Sequence, residues 1–186
     1  MTAGHRTFVA IALPEGIRDD LAALQRGLAI GRPVPPENLH LTLAFLGDQT
    51  DEALEEAHLA LSGLRAATFD VQLAGVDVLG EQAPRLVFAG VAPNPALAQL
   101  ERAVVQALRA AGLRFARQRF RPHVTIARLS GAPGWSEIGA LRHYLAGHAG
   151  FRPPPFRVDG FGLWRSHLSR KGARYEELAR YALSAG

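Results

Sequence analysis

Hydrophobic positions along the chain alternate with polar ones in some segments and recur at helical spacing in others, which predicts a mixture of strands and helices. Segments rich in β-branched and aromatic residues predict strands, listed in chain order: Arg6–Leu13, Leu39–Leu46, Phe69–Leu79, Arg85–Val91, His123–Leu129, Phe156–Ser166 and Tyr175–Leu183. Helical spacing predicts helices over about Pro14–Ile30, Thr50–Leu64 and Pro95–Ala111, and more weakly over Trp135–Ala146. The start of the last strand carries the helix-favouring residues Glu176, Glu177 and Leu178, so a helical turn there is an alternative.

These elements repeat approximately, because each half of the chain contains a strand, a helix and then a strand with the pattern His-x-Thr-x. We therefore expect an α+β fold of two pseudo-symmetric lobes. Each lobe would be an antiparallel sheet backed by helices, with a cleft between the two. The 186 residues suffice for two small lobes that share a core, so residues 1–186 are predicted to form a single two-lobed domain.

The amino-acid composition excludes several classes of protein and of catalytic site. Hydrophobic residues make up 48% of the chain and charged residues 20%, which is typical of a globular protein. The absence of cysteine excludes disulfides, thiolate catalysis and cysteine-bound zinc. No apolar run is long enough to span a bilayer and no signal peptide precedes the first strand, so we expect a cytoplasmic protein without a membrane partner.

The net charge is +4, and Lys171 is the only lysine, so nearly all cationic groups are guanidinium groups. The guanidinium fork suits phosphate, although arginine-rich composition also follows from GC-rich coding. Charge alone therefore leaves an anionic ligand and a neutral one equally open.

Two short motifs of the form His-x-Thr-x stand out, His40-Leu-Thr-Leu43 and His123-Val-Thr-Ile126. Alternation along a strand puts His40 and Thr42 on one face, and the two leucines on the other. With 7 histidines and 6 threonines in the chain, one such tetrapeptide is expected by chance roughly 0.05 times and two in about one chain per thousand. Coincidence is therefore a poor explanation, although a single strand histidine is more often a packed or surface residue.

Paired imidazoles and hydroxyls suit phosphodiester chemistry. One neutral imidazole can accept a proton while the other, charged, donates one. Neighbouring hydroxyls can donate to phosphoryl oxygens as negative charge builds there. Zinc is the competing interpretation, but it usually takes three or four ligands and neither motif carries an acidic residue at ligand spacing. We therefore expect no metal and no cofactor.

At these residues the chain resembles the two-histidine phosphoesterases, specifically the bacterial and archaeal RNA 2′,3′-cyclic phosphodiesterases, also called 2′-5′ RNA ligase-like proteins. The resemblance covers essentially the whole chain. It is carried by the first strand up to Pro14, by the segments Pro36–Gly47 and Phe120–Arg128 around the two motifs, and by Gly172-Ala-Arg-Tyr175 near the C-terminus.

The resemblance implies hydrolysis of RNA 2′,3′-cyclic phosphate ends to 2′-phosphomonoesters. It implies that His40 is the general acid that protonates the departing ribose 3′-oxygen and that His123 is the base that activates water. Thr42 and Thr125 would hold phosphate oxygens and Arg128 would contact the phosphate. Phe45, two residues past Leu43, matches the position where members of the family stack a base.

Other interpretations stay open at this point. The substrate could be a small nucleotide, such as a cyclic phosphate of ADP-ribose, or the chain could be a binding module that holds RNA or nucleotide phosphates without turnover; the intact motifs argue against the module. We expect a monomer. The basic strip Arg114, Arg117, Arg119 and Arg121 is either a solvated edge strand or an RNA-backbone track. We interpret the remaining histidines as surface residues and assign no role to Ser166–Lys171.

Overall fold

The computed structural model describes residues 4–80, 84–130, 134–170 and 172–184, so Lys171 lies outside the described residues. Its ten strands are β1 (His5–Ala12), β2 (Arg32–Pro33), β3 (His40–Gln49), β4 (Phe69–Val71), β5 (Leu73–Leu79), β6 (Leu86–Val91), β7 (His123–Arg128), β8 (Phe156–Val158), β9 (Gly160–Ser169) and β10 (Gly172–Ala182). Its four α-helices are α1 (Glu15–Arg26), α2 (Asp51–Ser62), α3 (Pro95–Ala110) and α4 (Trp135–Gly147). Within the described residues no helix combines the length and the apolarity needed to cross a membrane.

Eight strands form one sheet of two halves. The strand order is β10-β9-β1-β3-β7-β6-β5, and β2 adds to β7. All pairings between these strands are antiparallel. The halves meet at β3 and β7, through the single residue pair Leu41 and Val124. The α+β expectation with two antiparallel lobes is therefore confirmed, and the lobes are joined edge to edge.

One face of each central strand is apolar and buried, because the hydrophobic residues of the motifs recur at every second position. Leu41, Leu43, Val124 and Ile126 are all buried and belong to one continuous core that extends across both halves. Burying such a side chain stabilises the fold by roughly 1.5–3 kcal/mol. Since the aliphatic residues hold this face in the core, the histidines and threonines between them lie on the opposite face.

The helices cover the core in two groups. Helices α2 and α3 pack on each other, α2 also contacts β10 and α3 also contacts β3, so this group covers the first half of the sheet. Helix α1 contacts β7, and the Tyr144 hydroxyl of α4 donates to the Leu24 carbonyl of α1. Thr50 is the N-cap of α2, since its hydroxyl accepts the Ala53 N–H at 3.2 Å.

Several predicted elements differ from the structure. The predicted strand Phe69–Leu79 breaks at Gln72, because β4 pairs with β8 in a separate two-stranded sheet while β5 pairs with β6. The predicted strand Phe156–Ser166 breaks at Asp159 for the same reason. The alternative of a helical turn at Glu176 is wrong, since this segment pairs with β9. The basic strip forms no strand, because residues 113–122 have no regular structure.

Candidate active site

The two histidine motifs lie side by side on the open face of the sheet. Leu41 of β3 is paired with Val124 of the antiparallel strand β7. Extending this register by one residue in each direction puts His40 across from Thr125 and Thr42 across from His123. Opposite residues of such a pair have Cβ atoms about 4.5–5.5 Å apart and diagonal neighbours are roughly 7–8 Å apart. The structure therefore brings the four predicted side chains together around a local two-fold relation.

A matching irregularity follows each motif and brings a further side chain to the site. The pairing of β3 with β1 skips Leu43, because Ala10 faces Thr42 and Val9 faces Ala44. The pairing of β7 with β6 likewise passes over Ile126. An extra residue in a strand shifts the alternation of faces by one. Phe45 and Arg128, each five positions after its histidine, are consequently exposed while the residues before them are buried.

Both imidazoles are oriented by the same local hydrogen bond. His40 Nδ1 donates to the Asn38 carbonyl at 2.7 Å, and His123 Nδ1 donates to the Arg121 carbonyl at 2.7 Å. A carbonyl oxygen only accepts, so the proton of each neutral ring resides on Nδ1. Each ring therefore has Nε2 as the nitrogen available for exchanging a proton with a bound molecule.

An aromatic cluster surrounds His40. The Phe8 ring stacks on the imidazole at a centroid distance of 4.8 Å, and the Tyr175 ring meets it edge-on at 5.2 Å. Phe8 also contacts Trp164 and Phe45. Burial against these rings lowers the pKa of His40 from 6.5 to about 4, because it outweighs the hydrogen bond to the Asn38 carbonyl, and the nearby Arg128 guanidinium acts in the same direction as burial. His40 is therefore neutral at pH 7 in the free protein.

His123 has a more polar environment. The Phe88 ring meets it edge-on at 5.2 Å, and the Arg121 guanidinium also lies over that ring, 5.1 Å from its centroid. The hydroxyls of Thr42 and Thr125 make no hydrogen bond to any described residue, and Arg128 makes no ion pair within the described part of the chain. These three donors are consequently available to an anion between the two histidines.

Open space adjoins the site on two sides. A cleft of about 780 Å³ is lined by Phe8, Phe45, Arg128 and Tyr175, together with the β9–β10 hairpin. A groove of about 910 Å³ begins at Thr42 and His123. Phe45 lines both, and 48% of its surface is exposed, so its ring is not part of the core.

Sequence reasoning did not single out two residues that hold His40. Phe8 is buried against the imidazole, and Asn38 is buried with its side-chain amide donating to the Ala173 carbonyl at 2.7 Å. Asn38 thus links β10 to the carbonyl that orients His40. The signal was present in the sequence, because both residues lie within the segments that carry the family resemblance.

The other histidines lie away from this arrangement. None of His5, His58, His143, His148 and His167 is fully buried, which agrees with the expectation of surface residues. His5 contacts Asp51 and His167 contacts Glu176. Across the described ranges, no three histidine, aspartate or glutamate side chains converge as a metal site would require.

Within the described residues, the Nε2 atoms of both imidazoles, the two threonine hydroxyls and the Arg128 guanidinium therefore lie on the open side of β3 and β7 without a side-chain partner. Such a group can bind a phosphoryl group, deliver a proton on one side and remove one on the other. Such an arrangement suits acid–base chemistry on a phosphate ester, and its donors come from both halves of the sheet.

Known proteins are similar to this chain in both sequence and fold. An RNA 2′,3′-cyclic phosphodiesterase from Archaeoglobus fulgidus is 30% identical over 93% of this chain and 97% of its own length. One of the same name from Geobacillus stearothermophilus is 31% identical over 95% of this chain, which spans 56% of that relative. The crystal structure of E. coli LigT complexed with 3′-AMP has a TM-score of 0.79 and 28% identity, and the match covers 97% of this chain and 99% of LigT.

The pattern of the 2′-5′ RNA ligase superfamily matches residues 13–170, a range that contains both histidine motifs. This match agrees with the paired strands, the oriented imidazoles and the open face that the structure brings together. The chain belongs to the 2′-5′ RNA ligase superfamily.

Proposed function

We propose that the protein hydrolyses the 2′,3′-cyclic phosphate ends of RNA to 2′-phosphomonoesters, with His40 and His123 as the acid–base pair and without a metal ion. The observation that carries this proposal is the pairing of the two motifs at Leu41 and Val124, with both Nδ1 atoms engaged and both Nε2 atoms free. The relatives from Geobacillus stearothermophilus and Archaeoglobus fulgidus, both named RNA 2′,3′-cyclic phosphodiesterase, support this substrate class.

In the proposed reaction His123 Nε2 accepts a proton from water as the water oxygen attacks phosphorus. The bond from phosphorus to the ribose 3′-oxygen breaks, and His40 Nε2–H protonates that oxygen. The products are a 3′-hydroxyl and a 2′-phosphomonoester. The two histidines end with their protonation states exchanged, and proton exchange with solvent restores them.

The acid role requires His40 to carry a proton although its pKa in the free protein is about 4. A bound phosphodiester places a negative charge beside the imidazole and counters the positive charge of Arg128. Both effects raise the pKa of His40 in the complex. Substrate binding and protonation of His40 are thus coupled, so that the acid is formed where its proton is used.

The remaining site residues bind the substrate in this proposal. Thr42 and Thr125 donate hydrogen bonds to the non-bridging phosphate oxygens. Arg128, which carries a full charge, stabilises the negative charge that develops on them. Phe45 offers the half-exposed ring face on which the terminal base stacks.

The decisive experiment supplies an oligonucleotide that ends in a 2′,3′-cyclic phosphate, in the presence of EDTA. We expect conversion to a terminal 2′-phosphate, identified by its position-specific chemical shift in ³¹P NMR. A 3′-phosphate product would contradict the assigned leaving oxygen, and activity that needs added zinc or manganese would contradict the metal-free mechanism. Hydrolysis of a small cyclic nucleotide alone would favour the small-molecule alternative, and tight binding without turnover would favour the binding module.

The partner in this proposal is RNA with a cyclic phosphate end. We further propose that the protein acts in the cytoplasm as a monomer. Light scattering over a range of protein concentrations tests the oligomeric state, since a constant mass of 20.0 kDa is expected.

A further inference from the structure

A long groove leads away from the active site between strand β3 and the segment before the second histidine motif. We call it the arginine groove. It begins at Thr42 and His123, continues past Phe45, and is bounded by residues 115–121 on one side and by helix α3 on the other. Its volume of about 910 Å³ lies at the upper end of the range for pockets that hold whole drug-sized ligands. The groove therefore has room for more than the terminal nucleotide.

The charge of the arginine groove is strongly positive. Five arginines line it, Arg102, Arg109, Arg117, Arg119 and Arg121, and Glu101 is the one acidic residue among its described lining. Arg121 already pairs with Asp77 at 3.5 Å. Arg117 and Arg119 are exposed and make no ion pair with any described residue. Unpaired guanidinium groups along a groove are the arrangement that binds successive phosphates.

The arginines are spread along the groove, which suits the successive phosphates of a nucleic-acid strand better than a single anion. Arg102 and Arg109 are two turns apart on the exposed side of α3, which corresponds to about 10 Å along the helix axis. That span exceeds the separation of successive phosphates along one nucleic-acid strand. Across the groove, Arg117 and Arg119 continue the positive charge toward His123.

Two aromatic rings lie between these charges. Phe115 and Phe120 line the groove and are only partly buried, and the Arg109 guanidinium lies 5.4 Å from the centroid of the Phe115 ring. Aromatic faces interleaved with basic side chains are typical of surfaces that bind single strands without reading their sequence. Arg114, the remaining member of the basic strip, does not line the groove.

We propose that the arginine groove binds the RNA strand on the 5′ side of the reacting end, so that the preferred substrate is an oligonucleotide and not a mononucleotide. The inference rests on the proposed function, because the strand enters the groove from a phosphate held between His40 and His123. It assigns Arg117 and Arg119 to the backbone upstream of the reacting phosphate, which leaves them without a part in the chemistry.

The test compares a 2′,3′-cyclic mononucleotide with an octanucleotide that ends in the same cyclic phosphate. We expect the wild-type protein to show the higher kcat/KM on the octanucleotide. At low salt, the double variant Arg117→Ala/Arg119→Ala should have a kcat/KM on the octanucleotide that is roughly tenfold below the wild-type value. Its plot of log kcat/KM against log salt concentration should have a slope that is shallower by about 1.4. Turnover of the mononucleotide should change less than about twofold, because neither arginine touches the reacting group.

The matched control is Arg142→Ala/Arg152→Ala, which removes the same charge from two exposed positions outside the groove and should retain the preference for length. Equal wild-type kcat/KM on both substrates would overturn the inference and leave the proposed function intact. Arg6 lines the cleft beside β1 and not the arginine groove. If Arg6→Ala loses the preference for length and the groove variant keeps it, the inference is overturned in favour of that cleft. Fluorescence anisotropy with an octaribonucleotide bearing a 3′-hydroxyl tests the groove independently of turnover: roughly tenfold weaker binding by the groove variant supports it, and unchanged binding refutes it.

Discussion

His40 and His123 are oriented by the same hydrogen bond, yet their surroundings differ. Both rings donate from Nδ1 to the carbonyl two residues earlier. His40 lies against Phe8 and Tyr175, and that burial lowers its pKa to about 4. His123 lies next to a single ring and beside Arg121. Equivalent positions in a symmetric framework thus receive unequal environments, which is what separate acid and base roles require.

Removing either imidazole should nearly abolish turnover. We expect His40→Ala and His123→Ala each to lower kcat on a cyclic-phosphate RNA end by on the order of 100-fold or more, because general acid and base groups typically contribute that much. Thr42→Ala and Thr125→Ala should each lower kcat by roughly 10-fold to 100-fold, because each removes a single donor to phosphate oxygens. The control is His143→Ala, which lies exposed on α4 and should retain full activity. Near-wild-type turnover in either histidine variant would refute the assignment.

The partial burial of His40 against aromatic rings also makes stability depend on pH. The unfolded chain takes up a proton on this residue near pH 6.5, whereas the folded protein does so only near pH 4. The stabilisation is therefore complete above pH 6.5 and is lost as the pH falls toward 4. When the pH falls from 7 to 5, the free energy of unfolding measured in urea should decrease by up to about 2 kcal/mol more for the wild type than for His40→Asn. Equal losses in the two proteins would show that His40 titrates normally.

At the scale of the elements, the sequence predicts the faces of the motif strands but not their irregularities. Alternation correctly places Leu41 and Val124 in the core, and His40 with Thr42 opposite. Strict alternation would put Phe45 on the core face with Leu41, and only the skipped pairing at Leu43 returns it to the site. Such a bulge depends on the partner strand, which a single sequence does not specify.

Tertiary pairing likewise decides where local preference and structure disagree. Glu176 and Glu177 favour helix, yet they pair with β9 because the strand hydrogen bonds satisfy their backbone groups. The break at Gln72 has a similar origin, since its two sides pair with different sheets. Phe8 and Asn38 lie within the segments that carry the family resemblance, but their roles depend on contacts across the sheet, which a single sequence does not specify.

Phe45 allows a test of the position that the bulge creates. Phe45→Ala should raise KM more than it lowers kcat, because a stacked base contributes roughly 1–3 kcal/mol to binding. The melting temperature should fall only slightly, since the side chain is 48% exposed. The control Leu59→Ala removes an exposed apolar side chain from α2 and should leave KM unchanged. An unchanged KM in Phe45→Ala would exclude stacking on this ring.

Asn38 allows a test of the link between β10 and the acid. Its amide donates to the Ala173 carbonyl, and its own carbonyl orients His40. Asn38→Ala should cost about 1–3 kcal/mol of stability by leaving a buried acceptor unpaired. It should also lower kcat more than it changes KM, because the ring loses its fixed orientation. Asn94→Ala removes a similar amide bond, to the Asp70 carbonyl, and should lose stability without loss of kcat. Equal kcat in both variants would make Asn38 purely structural.

At the scale of the whole molecule, the site exists only because two halves of one sheet meet. Each half contributes one histidine and one threonine, and the strand pairing between β3 and β7 consists of the single pair Leu41 and Val124. The apolar residues on the other face form one cluster that includes both halves. A shared core under a narrow seam keeps the seam rigid while the face above it stays open to a ligand.

The shared core predicts that both halves unfold together. In guanidinium chloride, the fluorescence of the partly buried Trp164 and the far-UV circular dichroism of the whole chain should give coincident single transitions. Trp135 adds little to the change, because it is 92% exposed in the folded protein. Leu41→Ala opens a cavity at the seam and should shift both curves equally, by about 2–5 kcal/mol. Separated transitions, or a Leu41→Ala shift confined to the fluorescence curve, would mean that the lobes fold independently and that a single domain is the wrong description.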